Sequence, residues 1–192
     1  MSDSYKTITH KIGEGRYSEK RSKFLAFVHN VATVDDIKAL LDQYRKKYYD
    51  ARHICYAYMI GPERLVFRAN DDGEPSSTAG KPILGQINSN ELTDILIVVV
   101  RYYGGINLGP SGLILAYRTA AAEAIANAEI ITLQQEEEIT YNFIYPLINN
   151  VMHIVKNMNL RIISQHFDNT CSITISIPKS QVAQLRARLE SL

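Results

Sequence analysis

Residues 70–84, NDDGEPSSTAGKPIL, place Asp71, Asp72 and Glu74 beside Ser76, Ser77 and Thr78, with Lys81 close behind. Three chemistries fit these residue types. The acids offer oxygen ligands to a hard cation such as Mg²⁺, although they lack the alternating acids and later glutamate of an EF-hand loop. A hydroxyl would serve as a nucleophile if a base lay beside it, and the nearest histidine in sequence, His53, belongs to a different segment. Small hydroxyl residues with Gly80 and Lys81 would let backbone N–H groups approach an anion, so Ser77, Thr78 and Lys81 are candidate ligand contacts. Against all three, Asp72-Gly73, Pro75 and Gly80 are turn formers, and a solvated connection accounts for those positions without any ligand.

A second loop, RYYGGINLGPSG over residues 101–112, carries Arg101 and then Gly104, Gly105, Gly109 and Gly112. Such glycines permit positive φ and close approach, and they feed a helix N-terminus whose free N–H groups favour an anion, phosphate above all. A tight strand-to-helix crossover would need the same glycines. Between the loops in function stands DARHICYAY, where His53 has Asp50 and Arg52 as neighbours. Basic residues cluster at Lys20, Arg21 and Lys23, at Arg45, Lys46 and Lys47, and at Arg52, with Tyr44, Tyr48 and Tyr49 interleaved. Cations alternating with aromatics suit RNA, by stacking and charge neutralisation, while a basic helix end is also what the helix dipole favours in plain water. No GxSxG elbow, HExxH or Walker A motif is present, and no metal or cofactor is expected.

These residues need a scaffold to position them. Phe24–Val28 has the pattern of a strand, and Val34, Ile37, Leu40, Leu41, Tyr44 and Tyr48 at helical spacing behind Thr33 predict a helix over 34–48. Ile54–Ile60 and Arg64–Ala69 form a hairpin pattern across Gly61-Pro62-Glu63. A short helix from Pro82 to Asn88 follows the acidic loop. Asp94–Tyr103, aliphatic on both faces, is the candidate central strand. Pro110 suits the first turn of an alanine-rich helix over 113–128, and Glu129–Leu133 returns as a strand.

Gln134–Glu138 is acidic without apolar period and marks a domain boundary, giving domains 1–134 and 136–192. Beyond it, Ile139–Tyr145, Pro146–Met158, Leu160–Phe167, Thr170–Ile177 and Lys179–Leu192 read β-α-β-β-α, with a hairpin turn at Asp168-Asn169. That is a ferredoxin-like split βαβ unit whose last strand is missing or truncated.

Composition bounds the whole. At 192 residues, 46% hydrophobic and 21% charged, the chain is an ordinary globular α+β protein of one or two domains. Its net charge of +1 excludes the strong overall field of a dedicated nucleic-acid binder, so nucleic-acid contact would rest on local patches. Cys55 and Cys171, far apart in apolar runs, read as core thiols of a reducing compartment. Residues 1–6 carry no apolar signal region, and Ile95–Val100 is too short to span a bilayer, so a cytoplasmic location and no membrane partner are expected.

The blocks DARHICYAY, DDGEPSSTAGKPIL and VVVRYYGGINLGPSGLILAY, in this order and with KRSKF at Lys20–Phe24, resemble the signature of the IMPACT/YigZ family over most of residues 16–120. The resemblance implies an N-terminal domain with the fold shared by the second domain of a small-subunit ribosomal protein and by GHMP kinases. It also implies a C-terminal ferredoxin-like domain resembling one of elongation factor G. Eukaryotic members of that family regulate translation under amino-acid starvation by binding a large activator of the stress kinase. A non-enzymatic, translation-linked regulator binding RNA, the ribosome or a translation protein is therefore the leading expectation. A small enzyme acting on a phosphorylated substrate at the two loops is the alternative. The family's GGLVRAY stands here as Ser111-Gly112-Leu113-Ile114-Leu115-Ala116-Tyr117, so a glycine and an arginine are replaced by Ser111 and Leu115. The usual glycine after Pro-Ser is Ser77.

Overall fold

The computed structural model describes residues 3–168 and 170–192. The chain divides into two compact units, Tyr5–Leu133 and Gln134–Leu192, the latter joined by Asp3 and Ser4. In the first, β1 (Ser4–Ile8), β2 (Gly13–Glu19) and β3 (Ser22–Asn30) lead to α1 (Val34–Lys47), then β4 (His53–Ile60), β5 (Val66–Asn70), α2 (Gly80–Ser89), β6 (Ile95–Tyr102), α3 (Gly109–Ala126) and β7 (Ile130–Gln134). Five strands form one antiparallel sheet in the order β2-β3-β6-β4-β5, and β1 pairs with β7.

The strand expected at the centre is at the centre. Ile95–Val100 of β6 are all fully buried because helices cover both faces of the sheet. Ile95, Ile97 and Val99 pack beneath α2 and α3, whereas Leu96, Val98 and Val100 pack beneath α1 through Ile37, Leu41 and Tyr44. Helix α1 starts where its capping box dictates: Thr33 Oγ1 accepts the Asp36 N–H at 3.1 Å and the Asp36 carboxylate accepts the Thr33 N–H at 3.0 Å. Hydrogen bonding of its carboxyl to the Thr33 side chain and to the Thr33 N–H holds Asp36 below its ordinary value.

Strands β1 and β2 escape a pattern reading. GEGRYSE has no apolar alternation because its glycines lie against the backbone of α3: a Cβ on Gly15 would stand 2.4 Å from the Ala124 nitrogen, and one on Gly13 2.3 Å from the Ala124 carbonyl oxygen. The alanine face of α3 (Ala116, Ala120, Ala121, Ala124) is the other half of that close contact.

In the second unit β8 (Glu136–Phe143), α4 (Ile148–Asn157), β9 (Arg161–Phe167), β10 (Cys171–Pro178) and α5 (Val182–Glu190) follow the β-α-β-β-α order read from the sequence. The sheet order is β8-β10-β9, with β10 antiparallel to both neighbours, which is a split βαβ unit. The acidic run is not a linker. Glu136, Glu137 and Glu138 belong to β8 and pair with Pro178, Ile177 and Ser176, charged residues being at home on an exposed sheet edge. Glu136 also accepts hydrogen bonds from Ser176 and, at 2.8 Å, from Arg161, and its carboxyl is lowered accordingly. Asn169, half of the expected Asp168-Asn169 turn, lies outside the described residues. No helix among the described residues is long and apolar enough to cross a membrane.

Candidate functional site

Strand register assembles the site. Phe24 of β3, Arg101 of β6 and His53 of β4 are cross-strand partners, and all three lie on the sheet face covered by α2 and α3. The loop after β5 and the loop after β6 emerge at this same end of the sheet and enclose an open cleft of about 500 Å³. Arg52, His53, Glu74, Arg101, Tyr103 and Asn107 line it, together with Leu108, Gly109 and Pro110 at the start of the helix after β6.

At its base is a buried polar cluster. Glu74 is 8% exposed and Arg101 5%. Arg101 Nη1 donates to Glu74 Oε1 at 2.6 Å, and the Tyr117 hydroxyl donates to the same oxygen at 2.7 Å. The guanidinium is sandwiched between the rings of Phe24 (5.5 Å) and Tyr103 (5.4 Å). Its Nη2 reaches Ser22 Oγ at 3.5 Å, and its Nε has no acceptor. His53 Nδ1 lies 2.7 Å from the Asp72 carbonyl oxygen. A carbonyl can only accept, so Nδ1 carries a proton and Nε2, 3.7 Å from Glu74 Oε2, faces the cleft. Burial pushes the Tyr117 hydroxyl and the Cys55 thiol far up from their ordinary values, so both stay neutral donors. The thiol donates to the Asp71 carbonyl at 3.0 Å.

The three acids of the first loop do not converge. Asp71 Oδ1 accepts the N–H groups of Ala79 (3.1 Å) and Gly80 (2.8 Å), and its Oδ2 accepts that of Ser77 (2.9 Å). The N-terminus of α2, expected to receive an external anion, thus receives an internal one. Asp72 Oδ2 takes the Ile54 N–H at 2.6 Å. Only Glu74 enters the cleft. Positive φ at Asp72 (42°), Gly73 (83°) and Ser77 (63°) turns the chain between them. Ser77 therefore stands where glycine would carry less strain, in keeping with the glycine usual in the resembled family. Thr78 Oγ1 donates to the Pro75 carbonyl at 2.5 Å, and Lys81 is exposed on α2. Among the described residues no metal-binding group of His, Cys, Asp and Glu forms.

The second loop owes its glycines to two causes. A Cβ on Gly104 would lie 2.2 Å from the Arg21 carbonyl carbon, so this glycine is a close backbone contact with the β2–β3 turn. Gly105 and Gly109 have φ of +85° and +72°. Helix α3 begins at Gly109, four residues before the start expected from apolar spacing, with Pro110 in its first turn and no side-chain cap.

The basic residues fall in two groups, one at the strand ends and one on α1 over the face opposite to α2 and α3. Lys20 and Arg21 form the β2–β3 turn, Lys23 pairs with Tyr102, and the Arg52 N–H donates to the Arg101 carbonyl at 3.0 Å. Arg45, Lys46 and Lys47 make the last turn of α1, Arg45 in an ion pair with Asp42 at 3.1 Å. Of the interleaved tyrosines, Tyr44 and Tyr48 stack on each other and against Phe27 and so serve the core, leaving Tyr49 exposed. Sequence reasoning missed Ser22, Tyr103, Asn107 and Tyr117. The signal available for Tyr117 was a single hydroxyl-bearing ring inside an alanine-rich helix.

The family model of the Impact N-terminal domain matches residues 20–125. The chain is 32% identical over 174 residues to the IMPACT family member YigZ of Escherichia coli (strain K12), covering 88% of this chain and 84% of that protein. It is 37% identical over 131 residues to the IMPACT family member YvyE of Bacillus subtilis (strain 168), spanning 60% of that relative's length. Among solved structures it resembles one described only as a hypothetical protein, with a TM-score of 0.72 at 28% identity, over 100% of this chain and 93% of that one.

Proposed function

The chain belongs to the IMPACT family, and from that premise we propose that it is a non-enzymatic, translation-linked regulator that engages RNA of the translation machinery through the cleft end of the five-stranded sheet. The supporting observation is the set of exposed cations Lys20, Arg21, Lys23 and Arg52 on the turn and strand ends at the cleft end of the sheet, of which Arg52 lines the cleft, with Arg45, Lys46 and Lys47 exposed on the last turn of α1 over the opposite face. A net charge of +1 leaves the rest of the surface without comparable attraction for phosphates. The family resemblance, which implies a ribosomal-protein-like first domain and an elongation-factor-like second, points the same way. So does the role in translation of the family's eukaryotic members. The alternative, a small enzyme acting on a phosphorylated substrate, draws on the approach of His53 Nε2 to Glu74.

Binding to a labelled RNA, and co-sedimentation with ribosomes, test the proposal. Affinity should fall steeply with salt, since it rests on counterion release by a few cations, about 0.7 log units per log unit of salt for each phosphate contacted. The triple substitution Lys20→Glu, Arg21→Glu, Lys23→Glu should abolish it. RNA binding that ignores salt and this variant, or steady turnover of a phosphorylated substrate lost in Glu74→Gln, would overturn the proposal.

A further inference from the structure

We propose that the outer edge of β5 is a docking site for an extended acidic segment of another protein, which adds to the five-stranded sheet as a further antiparallel strand. The site lies outside the cleft, and its failure would leave the RNA reading untouched.

Strand β5 ends the sheet, so among the described residues the N–H and C=O groups of every second residue from Val66 to Asn70 point outward with no strand to receive them. Such edges are ordinarily guarded by charge. The other end of the sheet follows that rule, since β2 alternates Glu14, Arg16 and Ser18 with glycines held under α3. Beside β5 stand instead three consecutive large apolar residues, Leu65, Val66 and Phe67, at 79%, 49% and 57% exposure. Contiguous apolar surface on an unpaired edge marks a place for another chain.

Register fixes which side chains an added strand would meet. Phe67 and Ala69 pair with Met59 and Ala57, which belong to the core beneath α2 and α3, so both lie on the α2 side of the sheet. Val66 and Arg68 pair with Ile60 and Tyr58 and lie on the α1 side. Helix α2 runs back along β5: Gly80 abuts the Asn70 backbone, and Asn88 Oδ1 accepts from Arg64 Nη2 at 2.8 Å. Lys81, Leu84 and Asn88, spaced three and four residues apart, therefore form one stripe bordering the edge, with Lys81 and Asn88 exposed and Leu84 half-buried. A strand laid against β5 would set one face beside Phe67 and Leu84 and present the other to Arg68. Main-chain hydrogen bonds would give it affinity, and these alternate contacts its specificity.

Charge selects the occupant. From Arg64 to Asn70 the chain carries two cations and no acid, and Arg68 is exposed with no ion pair among the described residues. Lys81 adds a third cation at the Asn70 end. A second copy of this chain fits poorly. Pairing the five residues of β5 with themselves about a two-fold axis sets one Arg68 opposite the other, and a shift of two residues either way leaves the guanidiniums diagonal neighbours. An incoming strand with an acid opposite Arg68 and an apolar residue opposite Phe67 replaces that repulsion by attraction.

The test is an NMR titration of the intact, isotope-labelled protein with two capped heptapeptides. Each has valine at its odd positions and threonine at the second and sixth, and the centre is glutamate in one and lysine in the other. The glutamate peptide should shift the amide signals of residues 65–70 and bind about fivefold or more tightly than the lysine peptide, the difference between opposite and like charges across a strand pair. Arg68→Glu should reverse that order, and the fold tolerates the change because the side chain is exposed. N-methylating either the odd or the even amides of the glutamate peptide separates strand addition from mere contact of apolar surfaces, since only one set faces β5. One modified peptide should lose binding and the other should keep it. Unshifted signals at residues 65–70, equal affinity for the glutamate and lysine peptides, or equal tolerance of both N-methylated forms would overturn the inference. So would sedimentation equilibrium showing a dimer in which the β5 amides are protected from exchange, because the occupant would then be a second copy.

Discussion

Replacing Asp71 by alanine separates a structural acid from a recognition acid. Its carboxylate accepts three backbone N–H groups, those of Ser77, Ala79 and Gly80. Ser77 is exposed and its N–H returns to water at little cost, whereas Ala79 and Gly80 are buried. Two buried donors losing a charged acceptor, at about 1–1.5 kcal/mol each, give a loss of about 2–3 kcal/mol. For a unit of this size that is about 8–12 °C in melting temperature. Asp71→Asn retains one acceptor oxygen for Ala79 and Gly80 and should lose less than half as much. Thermal unfolding by circular dichroism reads the stability, and hydrogen exchange at residues 79–82 reads the local cap. A melting temperature within about 2 °C of the parent, with first-turn amides of α2 exchanging no faster, would refute the capping role. It would return Asp71 to the surface cluster that the acidic spacing first suggested.

Gly15→Ala should destabilise by about 1–3 kcal/mol by overpacking, because its Cβ meets α3 backbone at 2.4 Å. The same change at Gly85, exposed inside α2 with nothing within 4 Å, should stabilise by up to about 1 kcal/mol; equal signs in denaturant titrations would contradict both assignments. His29 is buried, with Nε2 2.6 Å from the Tyr44 hydroxyl, and burial lowers its pKa from the ordinary 6.5. A depressed folded pKa contributes stability that is full above 6.5 and is lost as pH falls through the lowered value, so His29→Gln should show a smaller drop between pH 7 and pH 5 than the parent.

Which parts were legible follows from how far each signal reaches along the chain. The aliphatic run of β6 and the Thr33 cap of α1 declare themselves within a few residues. Gly13 and Gly15 do not, since their reason is the backbone of α3, far along the chain. Of the site, the two loops and Arg101 with His53 were visible as unusual chemistry. What was hidden is direction. Asp71, Asp72 and Glu74 look like one cluster on paper, yet positive φ at Asp72 and Gly73 sends their carboxylates to α2, β4 and the cleft respectively. The acidic run Glu136–Glu138 lies at the start of the second compact unit, and what its charges hid is that it is an exposed edge strand, which tolerates them.

The same central strand that builds the core has little to fix its own register. Ile95–Val100 is apolar on both faces, so sliding β6 by one residue would exchange two equally apolar sets and cost little in burial. Arg101 breaks that degeneracy. In the observed register it faces Glu74 and Tyr117 under α2 and α3, and Tyr102 faces the opposite side, where its hydroxyl donates to Asp50 at 3.0 Å. A one-residue slip would turn the guanidinium beneath α1, among Tyr44, Tyr48 and Phe27, leaving Glu74 buried without its cation. Removing one partner of a buried pair costs about 3–5 kcal/mol, several times the apolar penalty of the slip. A buried ion pair is poor value as stability alone, since apolar residues of similar volume often do as well. Here it sets the alignment of β3, β6 and β4, and that alignment brings His53 and Arg101 side by side at the floor of the cleft.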